Sequence, residues 1–344
     1  MAQANDDLIL GGRYKVLPEE LGSGTSGQVL KGLDIQTNEY VAIKISRTSE
    51  RRYTDAIKSE AAILNELQGI EGVPEIYWDG CVGSRFYIVV ELFDQDLFKR
   101  FLANEPCSIT DAAFIAQKMI RVLEGIHDRG YIHLDLKPEN LMVHLSNPND
   151  SFLVDFGAAL KFFDETGDHV KPNVYVDYRA CTKTFATNRV LRFLSSSRQD
   201  DLIMLGYVLL DLMHLLPWSE RTHDFETMFK EKVDLCKSRD GDPFSSLPLQ
   251  FYEYMVYCEE LEFTQRPNYR YLESLFKSLL ETEGQNGGQE MNEQNGKNEK
   301  NELKSRKGKN NKIAGKRRTV KRAGQKETSQ TAGKRRTRKN AQQN

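Results

Sequence analysis

The chain has 344 residues, 39% of them hydrophobic and 28% charged, with 48 Lys and Arg against 50 Asp and Glu for a formal net charge of −2. That length and apolar content can bury a sizeable core in one large unit. No apolar run approaches the ~18 residues that span a bilayer, and the acidic start Asn5-Asp6-Asp7 has no apolar core, so no secretion signal is expected. Five cysteines without CxxC spacing fit a reducing compartment and speak against structural zinc.

A short extension, 1–12, precedes the first motif. Residues 21–29 read Leu21-Gly22-Ser23-Gly24-Thr25-Ser26-Gly27-Gln28-Val29, a GxGxxGxV pattern. Alone it is weak, because dinucleotide-binding folds also use GxGxxG. The flanks decide: Gln28 to Asp34 mixes apolar and polar residues as a strand does and ends in a polar turn, so the pattern predicts a hairpin and not the opening of a helix. Glycines there let backbone amides approach phosphate oxygens with no Cβ in the way.

Glu39 to Ile45 is expected to be the return strand, with Lys44 set in an apolar run that includes Val41, Ala42 and Ile43. A buried lysine needs a partner. Between Tyr53 and Gln68 the spacing of Ile57, Ala61, Leu64 and Leu67 is helical, and Glu60 falls on that stripe, which makes it the expected mate of Lys44. A second helical pattern runs from Ala112 to Ile126. Then come Tyr131-Ile132-His133-Leu134-Asp135-Leu136-Lys137-Pro138-Glu139-Asn140 and Asp155-Phe156-Gly157, and a third helical pattern from Leu202 to Leu215.

The blocks HxDxKxxN and DFG carry the chemistry. Transfer of a γ-phosphoryl group needs a carboxylate to orient the attacking hydroxyl, ligands for the metal that accompanies the nucleotide, and a cation near the developing charge. Asp135, Asn140, Asp155 and Lys137 supply those groups in two separated, specific blocks. The remaining histidines lack metal-ligand spacing.

With these motifs in place, the chain resembles the eukaryotic protein kinases over roughly residues 13 to 280, and within them the casein kinase I and vaccinia-related kinase group. The group marks are Gly69 to Tyr77, the stretch Ser197 to Leu210, Pro217-Trp218, and Arg266 to Leu272. The resemblance implies an α+β, two-lobed fold over 13–281. A small antiparallel-sheet lobe with one helix (13–93) precedes a larger, mostly helical lobe (94–281), with the nucleotide cleft between them. It implies that Leu21, Gly22, Ser23, Gly24, Thr25, Ser26, Gly27, Val29 and Ala42 enclose ATP, that Lys44 meets its α- and β-phosphates with Glu60 as ion-pair partner, and that Val90 is the gatekeeper. Backbone groups of Glu91 and Phe93 would meet the adenine edge. Asp135 would be the catalytic base, Lys137 would contact the γ-phosphate, and Asn140 and Asp155 would hold Mg2+. His133 would support the loop without transferring a proton. Lys137, two residues after Asp135, resembles serine/threonine-specific members, so protein substrates with Ser or Thr hydroxyls are implied. The other function class is a pseudokinase or scaffold that keeps the fold and tethers partners.

Several departures stand out. Leu134 replaces the arginine of the usual His-Arg-Asp, removing the cation that pairs with an activation-loop phosphate in many relatives. Thr184 falls where a substrate-groove arginine is expected, although Arg179, Lys183 and Arg189 are close; the usual Ala-Pro-Glu triplet is also absent, as in the group the chain resembles, Phe185-Ala186-Thr187 standing near its place.

Beyond residue 281 the composition turns to Asn, Gln, Gly, Glu and Lys, so 282–344 is expected to be a disordered basic tail. Residues 303–344 hold 16 Lys and Arg against one acid, Glu327, a net +15 that leaves −17 on the rest of the chain. The cluster 314–319, Ala-Gly-Lys-Arg-Arg-Thr, recurs at 332–337. Such clusters read as nuclear-import signals or as salt-sensitive contacts to polyanions, and no aromatic residue is interleaved for base stacking. The tail could also fold back on the acidic body, a contact that phosphorylation of Ser305 or Thr319 would weaken. A monomer in the nucleus, the cytoplasm or both is expected.

Overall fold

The structure is a computed structural model, which describes residues 8–24, 27–102, 105–178, 181–219 and 224–281. The basic clusters, Thr25, Ser26 and Arg179 lie outside the described residues. Alternating apolar residues build the strands β1 (Ile9–Leu10), β2 (Tyr14–Ser23), β3 (Gly27–Asp34) and β4 (Tyr40–Ser46). Helix α1 (Arg51–Glu66) follows, then β5 (Ile76–Val82) and β6 (Arg85–Val90). All six strands form one antiparallel sheet in the order β1-β2-β3-β4-β6-β5.

Side chains alternate across a strand, and this sheet uses both faces. Tyr14, Val16, Leu30, Val41, Ile43, Ile45, Tyr87 and Val89 close one small core. The opposite face of β4 and β6 carries Ala42, Lys44, Ile88 and Val90, with Ala42 paired to Val90 and Lys44 to Ile88. Helix α1 packs here, placing Ile57, Ala61 and Leu64 in the main core with Ile88.

The second lobe is mostly helical. After β7 (Gln95–Asp96) come α2 (Ile109–Asp128), β8 (Tyr131–Ile132), β9 (Leu141–His144), β10 (Asn147–Leu153) and β11 (Leu160–Lys161). They are followed by α3 (Asn188–Leu191), α4 (Arg198–Leu212), α5 (Phe225–Asp234), α6 (Leu249–Glu260) and α7 (269–281). The α+β, two-lobed architecture expected from the sequence is present. No helix among the described residues is long and apolar enough to cross a membrane.

The helix boundaries move from their expected places for capping reasons. Helix α2 starts at Ile109 because the Ser108 hydroxyl accepts from the Asp111 amide. Helix α4 starts four residues before the expected Leu202, because Ser197 and Asp200 form a reciprocal capping box. Its polar first turn hid that start, and the remainder is buried on nearly every side, which weakens any amphipathic period.

Candidate active site

Hairpin β2–β3 brings the glycine pattern over the cleft, pairing Gly22 with Val29. Its glycines differ in kind. A Cβ on Gly22 or Gly24 meets nothing within 4 Å, so both leave open space for a ligand. A Cβ on Gly27 would lie 2.0 Å from the Ile45 carbonyl oxygen, so this glycine is required by the approach of β3 to β4 whether or not a phosphate binds. At Gly27 this packing requirement stands beside the phosphate approach expected of all three glycines. Leu21 is exposed at the rim, and Val29 stands opposite Lys44 in the sheet.

Lys44 Nζ lies 2.6 Å from Glu60 Oε1 and 2.8 Å from Asp155 Oδ1, which joins sheet, α1 and the DFG segment. Burial works against the Lys44 ammonium, but the two carboxylates outweigh it and hold its pKa above the ordinary value. Glu60 is raised to about 7, by burial first and with Asp155 adding to it, against the pull of Lys44. Its second oxygen, Oε2, is buried with no hydrogen-bond partner among the described residues, consistent with that direction. Asp155 is lowered to about 2, because Lys44, then Lys137, outweigh burial. Its side chain remains 42% exposed to the cleft.

Asp155 adopts a left-handed backbone, φ +64°, and accepts from the Gly157 amide. Phe156 then turns into the core, edge-on to His133 at 5.0 Å. Full burial of such a side chain is worth about 1.5–3 kcal/mol, which anchors the neighbouring carboxylate.

The catalytic-loop candidates converge. Lys137 Nζ donates to Asp135 Oδ2 at 2.6 Å, and Asn140 Nδ2 donates to the Asp135 carbonyl at 2.8 Å and to Oδ2 at 3.1 Å. Since both contacts use its amide nitrogen, Asn140 keeps its oxygen free for another partner. His133 has both ring nitrogens engaged with backbone: Nε2 donates to the Val154 carbonyl at 3.1 Å, and Nδ1 accepts from the Asp135 amide at 3.3 Å. Burial pushes its pKa down.

The connector between the lobes is held at both ends. The Glu91 amide donates to the Glu75 carbonyl at 3.0 Å and the Asp94 amide to the Val143 carbonyl at 3.2 Å. The Phe93 ring packs on Phe152 at 4.6 Å and on His144 at 4.9 Å, so only its backbone is offered to a ligand.

Several residues with structural hold on this site had no role in the sequence reading. Asp201, fully buried on α4, accepts from the His133 amide at 2.7 Å and the Leu134 amide at 2.8 Å. It also contacts His127 Nε2 at 3.0 Å, while His127 Nδ1 lies 2.6 Å from the Tyr269 hydroxyl, whose pKa burial raises. A ring protonated at Nε2 satisfies both contacts. These bonds hold Leu134 at φ +66°, which is strained for a branched residue, with its side chain 1% exposed in the core. Thr182 Oγ1 donates to Asp135 Oδ1 at 2.9 Å. Arg189, near the expected substrate groove, is turned to Asp200, Asn173 and the Phe263 ring.

Asp155, open to the cleft, and Asn140, whose side-chain bonds to Asp135 use only its nitrogen, offer oxygen donors of the type Mg2+ prefers, so the residue types fit that ion. A model of the protein kinase domain matches residues 15–280. With the glycine hairpin, the Lys44–Glu60 pair and the Asp135 loop meeting in one cleft, the chain belongs to the protein kinase domain family.

Proposed function

We propose that the chain is an active serine/threonine protein kinase of casein kinase I-like type, transferring the γ-phosphoryl group of ATP to protein hydroxyls. The observation that carries this reading is the Asp135 carboxylate. Lys137 and Asn140 orient one of its oxygens and Thr182 orients the other, at the end of a cleft whose opposite wall is the Lys44–Glu60–Asp155 set.

ATP is the phosphoryl donor, and Mg2+, held by Asp155 and Asn140, would neutralise phosphate charge. Lys44 orients the nucleotide phosphates, and Gly22 and Gly24, with open space where a Cβ would stand, let the hairpin backbone approach them. Val90 and the Glu91–Phe93 connector border the adenine site. Asp135 orients the acceptor hydroxyl and takes its proton, and Lys137 stands beside it as the cation for charge developing on the transferred group. Most of the acceleration comes from positioning and electrostatics. Leu134, being buried, leaves no loop arginine to read a phosphate, so activity independent of activation-loop phosphorylation is part of the proposal. The basic tail is proposed to carry nuclear import or polyanion contact by a monomeric enzyme.

The test is transfer of labelled γ-phosphate to casein and to basic peptides, comparing the parent with Asp135→Asn and Asp155→Ala and identifying the labelled amino acid. Label on Ser or Thr with the parent alone supports the reading. A folded parent that labels no acceptor moves the weight to a scaffold.

A further inference from the structure

Lys232, on α5, is 3% exposed, and its ammonium faces no carboxylate at ion-pair distance among the described residues. Its partners are two backbone carbonyls: Lys183 at 2.8 Å and Ala186 at 2.6 Å. The Tyr207 and Trp218 rings flank it at 5.5 and 5.4 Å, themselves in edge-on contact. Burial pushes its pKa down to about 7. A buried amine without a counter-ion is costly, and an apolar side chain of similar size would fill the same space more cheaply. What the amine supplies is a hold on the carbonyls of residues 183–186.

Other bonds grip the same short stretch. Trp218 Nε1 donates to the Thr184 carbonyl at 2.8 Å. The Thr182 carbonyl accepts from the Phe185 amide at 3.0 Å and the Ala186 amide at 2.9 Å. Thr187 is tied to Asp200 at 2.5 Å. The carbonyls of 183, 184 and 186 are thus held from outside the stretch and that of 182 from within it, and the stretch begins at the residue that touches Asp135. Lys232 and Trp218 reach it from α5 and from the loop after α4, whereas Lys44 stands on β4 and is held by Glu60 on α1.

We propose that Lys232, together with Trp218, is a positioning residue for the phosphoryl acceptor, clamping the 182–187 loop so that a peptide laid along it presents its hydroxyl in register with Asp135. This rests on the kinase reading above. Without the clamp, the buried Ala186 carbonyl and the part-buried Lys183 carbonyl lose their donor and the loop relaxes. The nucleotide half of the site, built on β2, β3, β4 and α1, is untouched.

The experiment is steady-state phosphotransfer by the full chain to the better of casein and a basic peptide, with ATP and acceptor varied separately and thermal unfolding in parallel. Lys232→Met is expected to lower acceptor kcat/KM about 10- to 100-fold, since small misplacements near the chemistry have effects of that order, with KM for ATP within about twofold. Trp218→Phe keeps an apolar wedge but removes the Thr184 donor, and is expected to lower acceptor kcat/KM about three- to tenfold by the lost bond. It gives the same reading if Lys232→Met fails to fold. Acceptor kcat/KM within twofold of the parent in the folded variants, or a KM for ATP that rises alongside it, overturns the clamp. A parent inactive on every acceptor overturns the kinase reading with it, whereas an active parent with unaffected variants overturns the clamp alone.

Discussion

Asp201→Asn is the sharpest test of how the catalytic loop is held. The Asp201 carboxylate accepts from the amides of His133 and Leu134 and from His127. An asparagine keeps one acceptor oxygen and places an NH2 group against a second backbone N–H. One buried donor is then unpaired, costing about 1–3 kcal/mol, and the charge assistance of the retained bond is lost. Leu134 at φ +66° stores about 1–3 kcal/mol of strain that these bonds sustain, so part of the loss returns as the backbone relaxes. The net expectation is about 3 kcal/mol. At roughly 2–4 °C per kcal/mol for a domain of this size, Tm falls by about 6–12 °C. Relaxation at Leu134 displaces the adjacent Asp135, and a shift near 1 Å costs about 100-fold in rate. Thermal unfolding and phosphotransfer on the same preparation read both effects. An Asp201→Asn chain melting within 2 °C of the parent and turning over within about threefold would show that the brace does not hold the loop.

Other perturbations separate groups that look alike. Gly27→Ala is expected to destabilise by about 1–3 kcal/mol as β3 shifts away from Ile45, whereas Gly24→Ala leaves Tm unchanged and raises KM for ATP; equal melting temperatures for the two would refute the distinction. Thr182→Val removes the bond to Asp135 Oδ1 and is expected to lower acceptor turnover about fivefold, the equivalent of about 1 kcal/mol, with KM for ATP unchanged in initial-rate assays. Glu60 has a folded-state value of about 7 against about 4.3 unfolded, so the stability it contributes is complete below about pH 4 and is lost as pH rises through about 7. Thermal melts from pH 5 to 8 should therefore show the parent losing stability relative to Glu60→Gln, whose amide cannot ionise, and parallel curves would contradict the assignment.

What was legible in the sequence was whatever depends on neighbours along the chain. Alternation marked the strands of the β2–β3 hairpin and β4, and the stripe of α1 aimed Glu60 inward. The spacing of Asp135, Lys137 and Asn140 grouped them because they share one loop. Burial at long range left weaker traces. Gly27 looks like Gly22 and Gly24 until β4 is laid beside it and the Ile45 carbonyl occupies the place of a Cβ. Asp201 lies in a mostly apolar helix and binds residues 67 and 68 positions away. Lys232 sits among charged neighbours on a helix whose other lysine, Lys230, is exposed, and only the packing of α5 against Trp218 turns it inward. Groups that touch substrate carry local signatures, in the glycine hairpin, on β4 and in the Asp135 loop, while those that orient them from behind are selected by the cavity they fill. A carboxylate or an amine in a helical stripe should therefore be asked which backbone it holds before it is assigned to solvent.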